Sequence, residues 1–178
     1  MKTVSNLDRT LCGREREATP VWIRSMIAAA LFGIAAPAVA AVTCSLSAPA
    51  MAFGPYDVFA GTQITSSSTI TVTCTLTGNT NTTVSGSLAM STGSSGTYIQ
   101  RTMKSGVNAL GYNLYTSAAL TTVWGDGTGA TNVISGSVTL TTAAPVQSVQ
   151  VDVFGAVPAL QDAKVGIYTD NVTMTVTY

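Results

Sequence analysis

From residue 41 onward, hydrophobic and polar positions alternate with a period of two, and no stretch carries helical spacing. The alternating segments recur about every ten residues between clusters of Gly, Ser, Asn and Pro, the spacing of a sandwich or barrel. The first is 42–48, with Val42, Cys44 and Leu46 on one face. The clearest is 68–76, where Ile70, Val72, Cys74 and Leu76 alternate with threonines. Segments 83–91, 108–117, 133–142 and 147–157 follow the same rule, and a short edge strand is expected to end at Trp124. The last segment sets Val172, Met174, Val176 and Tyr178 against Thr173, Thr175 and Thr177.

Two stretches break the rhythm. Residues 51–62 contain Gly54-Pro55, which interrupts pairing, and Phe53, Tyr56, Val58 and Phe59 are expected to plug one end of the core. Residues 158–170 form a long connection. The pattern predicts an all-β, immunoglobulin-like sandwich of seven or eight strands.

The first 40 residues follow a different logic. Arg14, Arg16 and Arg24 precede the apolar run 26–36, and Ala38-Val39-Ala40 is a small-x-small site ahead of Ala41. These are the parts of a secretory signal, so residues 1–40 are expected to be removed and 41–178 to form one mature domain. The apolar run falls short of the roughly 20 residues that a membrane span needs, and no second run of that length follows.

Export changes the meaning of the cysteines. Cys12 leaves with the signal, and Cys44 and Cys74 remain. An even pair in an oxidising compartment, each on the apolar face of a strand, points to a disulfide between the first two strands.

Composition then removes most chemistry. The chain contains no histidine, so triads and dyads with an imidazole base are excluded. Two thiols without clustered carboxylates offer too few ligands for a metal site. Charge after residue 40 is confined to Asp57, Asp126, Asp152, Asp162 and Asp170 against Arg101, Lys104 and Lys164, which lacks the basic footprint of a nucleic-acid binder. The glycine-rich stretch 125–129 precedes a strand, whereas a phosphate loop needs a following helix, so it reads as a turn. No enzyme activity, cofactor or metal is expected. Trp124, Tyr98 and Tyr115 are the aromatics that a sugar-stacking site would use, which leaves a secreted carbohydrate- or surface-binding module as the alternative function.

What remains is the sheet. A final strand with one apolar face requires neighbours on both sides, and an edge left open becomes an association site. Val172, Met174 and Val176 are the candidate lining of a groove that takes a strand from another chain, one of the general modes of peptide recognition.

At larger scale the residues resemble a known family. The stretches CSLSAPAMAFGPYDVFAG, STITVTCT, RTMKSGVNALGYNLYTSAALTTVWGDGTG and VDVFGAVPALQDAKVGIYTDNVTMTVTY are similar to the spore coat protein U domain, shared with secreted pilins of archaic, Csu-type chaperone-usher pili. The resemblance runs from Cys44 to Tyr178. It implies an incomplete pilin-type fold in an envelope protein. Its implied partners are a periplasmic chaperone, an outer-membrane usher and neighbouring pilin subunits, met by strand addition. It also implies transit through the periplasm to the cell surface, a pilus or the medium, as part of a fibre or a surface coat.

One feature departs from the resemblance. Polymerising pilins of this kind carry an alternating donor segment ahead of the first cysteine, but cleavage after Ala40 leaves only Ala41-Val42-Thr43 before Cys44. Three residues reach about 10 Å. The chain is therefore expected to accept a strand without giving one, and to stand at the tip or terminus of a fibre.

Overall fold

A computed structural model describes residues 41–178; the expected signal sequence, residues 1–40, lies outside the described residues. Eight strands form two sheets: β1 (Ala41–Ser47), β2 (Ile64–Thr77), β3 (Thr82–Met90), β4 (Arg101–Ser105), β5 (Asn108–Tyr115), β6 (Ile134–Leu140), β7 (Val146–Val157) and β8 (Met174–Thr177). The larger sheet runs β1-β2-β7-β5-β4 and the smaller β6-β3-β8. Every neighbouring pair is antiparallel.

The alternation works as a two-sided device. Ile70 and Leu88 from facing sheets, with Met90, Leu114, Val153 and Val157, form a continuous buried cluster, and each fully buried aliphatic side chain contributes about 1.5–3 kcal/mol. On the solvent side the hydroxyls pair across strands at their register positions. Thr69 donates to Asp152 at 2.7 Å, Thr73 and Ser148 share a bond at 2.8 Å, and Thr83 and Thr139 at 3.0 Å. A chain with few charges thus finishes its outer faces with cross-strand hydroxyl pairs.

Cys44 and Cys74 are direct register partners, and a disulfide joins them with Cα atoms 4.0 Å apart. The bridge staples β1 to β2, as the cysteine pattern predicts.

Three elements differ from the sequence expectation. β4 was not expected, because its sequence RTMKS turns a basic residue inward: Arg101 is fully buried. The expected edge strand ending at Trp124 is reduced to isolated bridges from Val123 to Tyr115 and from Trp124 to Asn132. Phe59 is 88% exposed and plugs nothing, whereas Phe53 and Tyr56 do pack on the core. The Phe59 amide donates to the Asp57 carboxylate at 2.9 Å, a local turn that carries the ring outward.

Candidate functional site

β8 is one edge strand of the small sheet, with β6 at the other edge, and β1 is one edge strand of the large sheet, with β4 at the other. Among the described residues neither β8 nor β1 has a second ladder partner, and an apolar groove lies between them.

The edge chemistry follows from the pairing. The Ser91 amide donates to the Thr173 carbonyl at 2.9 Å, one step beyond the pair Met90 with Met174. Bonded and non-bonded pairs alternate in an antiparallel ladder, so Thr175 and Thr177 direct their backbone groups to β3. Met174 and Val176 direct theirs to the open edge. On β1 the Cys44 amide points away from β2 and donates to the Tyr178 hydroxyl at 3.1 Å; by the same alternation Leu46 also faces outward. Residues whose side chains face the interior therefore present their backbone groups to the gap.

Two separate pockets flank β8. A cavity of about 470 Å³ is lined by Val172 and Met174, by the core residues Ile70, Met90, Tyr112 and Val153, and by the irregular segments 48–51 and 168–171. A narrower space of about 120 Å³ lies around Cys44, Val72, Leu88, Val176 and Tyr178. Native interiors have few voids larger than one water. The larger pocket opens to the surface and is partly polar, with Asp170, Asn171 and Ser68 in its lining, so it has room for side chains supplied from outside. Of the residues singled out from the sequence, Val172 and Met174 line the larger pocket and Val176 the smaller.

Polar groups fix the walls. The Tyr112 hydroxyl donates to Asp170 at 2.7 Å, and the same carboxylate accepts the Ser94 amide at 2.9 Å. Burial, and then the bond to Asp170, push the Tyr112 pKa well above the ordinary phenol value. Phe53 packs edge-on against Tyr112 with ring centroids 5.9 Å apart. Behind this wall Arg101 forks three ways: Nε and Nη2 reach the Ser91 carbonyl at 3.0 and 2.8 Å, Nη2 the Trp124 carbonyl at 2.7 Å, and Nη1 the Asn113 side chain at 2.7 Å. The Tyr98 ring lies 5.2 Å from the guanidinium. Burial lowers the Arg101 pKa, and Tyr112, Tyr98 and Asp170 act against that shift.

The aromatics expected of a sugar-binding site are used otherwise. Trp124 is fully buried, with its indole nitrogen donating to the Leu88 carbonyl at 3.0 Å. Tyr98 is half-buried and donates to the Met90 carbonyl at 2.8 Å, and Tyr115 is half-buried at the end of β5. They do not line an open platform. The glycine-rich stretch is a turn: Asp126 accepts the Thr128 amide at 2.9 Å and its hydroxyl at 2.6 Å, with Gly127 and Gly129 at φ 88° and 57°. Those bonds hold the Asp126 pKa below its usual value.

Among the described residues no cluster of three or more metal-ligating side chains is present, and no helix is long and apolar enough to cross a membrane.

Arg101, Asn113 and Gln161 were not singled out from the sequence. Gln161 both accepts the Gly111 amide at 2.7 Å and donates to the Gly111 carbonyl at 2.8 Å, replacing a strand backbone where β7 ends.

No curated protein matches the chain significantly. Among solved structures, one similar chain comes from the CsuC–CsuE chaperone–tip adhesion subunit pre-assembly complex of the archaic chaperone-usher Csu pili of Acinetobacter baumannii. It has 21% sequence identity and a TM-score of 0.45, over 78% of this chain and 40% of that one. This chain therefore spans less than half the length of that relative. The Spore Coat Protein U domain matches residues 28–175, most of the sequence, and the chain belongs to that family.

Proposed function

We propose that this protein is a pilin-type structural subunit of a chaperone-usher fibre or surface coat, and that its groove receives a β-strand from a neighbouring subunit. The observation that carries this reading is the pair of unpaired strand edges on β1 and β8, with an apolar space of about 120 Å³ between Cys44, Val176 and Tyr178 and a larger, partly polar pocket of about 470 Å³ beside Val172 and Met174. A strand supplies both things such a site lacks: alternate side chains for the cavity and backbone groups for the edges.

Membership of the Spore Coat Protein U domain family supports the same reading. Until assembly the exposed edge needs cover, which is the role assigned here to a periplasmic chaperone, followed by transfer to an outer-membrane usher. Residues 1–40 act as the export signal, and residues 41–178 are the mature domain that reaches the surface.

The subunit is terminal in its fibre. Val42 and Thr43 are already paired with Leu76 and Thr75 in β1, so cleavage after Ala40 leaves no free segment before Cys44 to fill another subunit. Two measurements test this account. Periplasmic expression with and without a cognate chaperone is expected to give soluble protein only with it, and a stable monomer without it would overturn strand acceptance. The mass of the exported chain is expected to match a start at Ala41; a start before about residue 31 would remove the terminal assignment alone.

A further inference from the structure

Tyr178 does more than border the groove. Its hydroxyl accepts the outward-facing Cys44 amide at 3.1 Å, joining the two edges that flank the opening. The ring lines the narrower space beside Val176 and Leu88, while Tyr178 remains 55% exposed. A tyrosine reaches about 6.5 Å from Cα to its hydroxyl. With the 3.1 Å bond, the span to the β1 backbone is at most about 10 Å, close to twice the interstrand spacing of about 4.8 Å. That is the width of one missing strand.

Gly86 lets Tyr178 occupy this place. A Cβ on Gly86 would lie 2.7 Å from the Thr177 carbonyl oxygen and 3.3 Å from the Tyr178 Cβ. A side chain there would push the end of β8 away, so the absence of one seats Tyr178 against β3.

We propose that Tyr178 is a gate on the strand-accepting groove: it occupies, at the Cys44 amide, the position that the backbone carbonyl of an entering strand would take. The gate rests on the strand-accepting reading and adds a regulatory element to it. An entering strand must displace the tyrosine side chain from Cys44, and the vacated amide then bonds to the strand. In the free subunit the same bond caps one of the exposed donors of the β1 edge.

Tyr178→Phe keeps the ring and removes the hydroxyl. The test follows binding of a synthetic Lys-capped alternating Val-Thr peptide to the full chain, together with amide exchange at Cys44. The Phe variant is expected to bind the peptide about 3- to 10-fold faster and to exchange the Cys44 amide faster by a similar factor, the range set by one net hydrogen bond. A Gly86→Ala variant, which displaces Tyr178 by another route, is expected to shift both readouts in the same direction. Equal binding rates for wild type and both variants would overturn the gate while leaving the groove in place. Failure of the peptide to bind any of the three would overturn the groove and the gate together.

Discussion

The indole nitrogen of Trp124 donates to the carbonyl oxygen of Leu88 at 3.0 Å, at the residue where β3 is paired with Ile134 of β6 and Val176 of β8. Beyond Leu88 the β6 ladder ends, and the Met90 amide turns instead to the Gly125 carbonyl at 3.0 Å. Residues 124–125 therefore complete the side of β3 that β6 no longer reaches, and they hold the floor of the groove from behind.

Trp124→Phe keeps most of the ring and deletes the donor. A buried carbonyl then lacks its partner, a loss of about 1–3 kcal/mol. The urea midpoint of the folded domain is expected to fall accordingly, and an unchanged midpoint would show that the Leu88 carbonyl finds another donor.

Arg101→Met tests the buried fork. The substitution leaves the Ser91 and Trp124 carbonyls without their side-chain donor and the Asn113 side-chain oxygen with the Leu114 amide alone, so destabilisation of about 3 kcal/mol or more is expected. Arg101→Lys is expected to rescue only part of it, since one ammonium cannot match a planar fork. Full rescue by Lys in denaturant titrations would argue that charge alone matters here.

The contrast between these two residues and the rest of the fold shows what the sequence displayed. β1, β2, β3, β6 and β8 were legible because apolar positions alternate with mostly hydroxylic ones, and β5 and β7 because their apolar positions still recur every second residue. The disulfide was legible because both cysteines obey that period. β4 was hidden because its inward residue is an arginine whose acceptors come from three other segments. Val172, Met174 and Val176 were visible in the sequence as the apolar face of the last strand. The irregular segments 48–51 and 168–171, which line the larger pocket with Val172 and Met174, carry no strand period and were not legible.

Cys44→Ser with Cys74→Ser tests the staple. The bridge closes a separation of 30 residues, worth about 3.6 kcal/mol on the chain-entropy account. The double variant is expected to unfold at lower urea and to lose order at β1, where the groove depends on a fixed edge. Retained stability would mean that pairing of β1 with β2 suffices without the bond.

Alkaline pH acts through Tyr112. Its folded pKa is raised above the value of about 10 in an unfolded chain. The folded state therefore holds its proton where the unfolded state has lost it, and the stability this gives is complete below about pH 10 and declines as pH rises toward the folded pKa. Urea midpoints are expected to fall with increasing pH above about 10. Tyr112→Phe should flatten that decline while lowering stability at neutral pH through loss of the Asp170 bond. An unaltered slope in the Phe variant would place the alkaline sensitivity elsewhere.

The central claim concerns the two facing edges, and backbone amide exchange measures them directly. In the free domain the Leu46, Met174 and Val176 amides, which point into the gap, are expected to exchange quickly while those of Thr175 and Thr177 are protected by β3. Adding the alternating Val-Thr peptide at saturation is expected to protect all three. Met174 and Val176 amides already protected in the free domain, or unchanged by the peptide, would contradict an open strand-accepting groove.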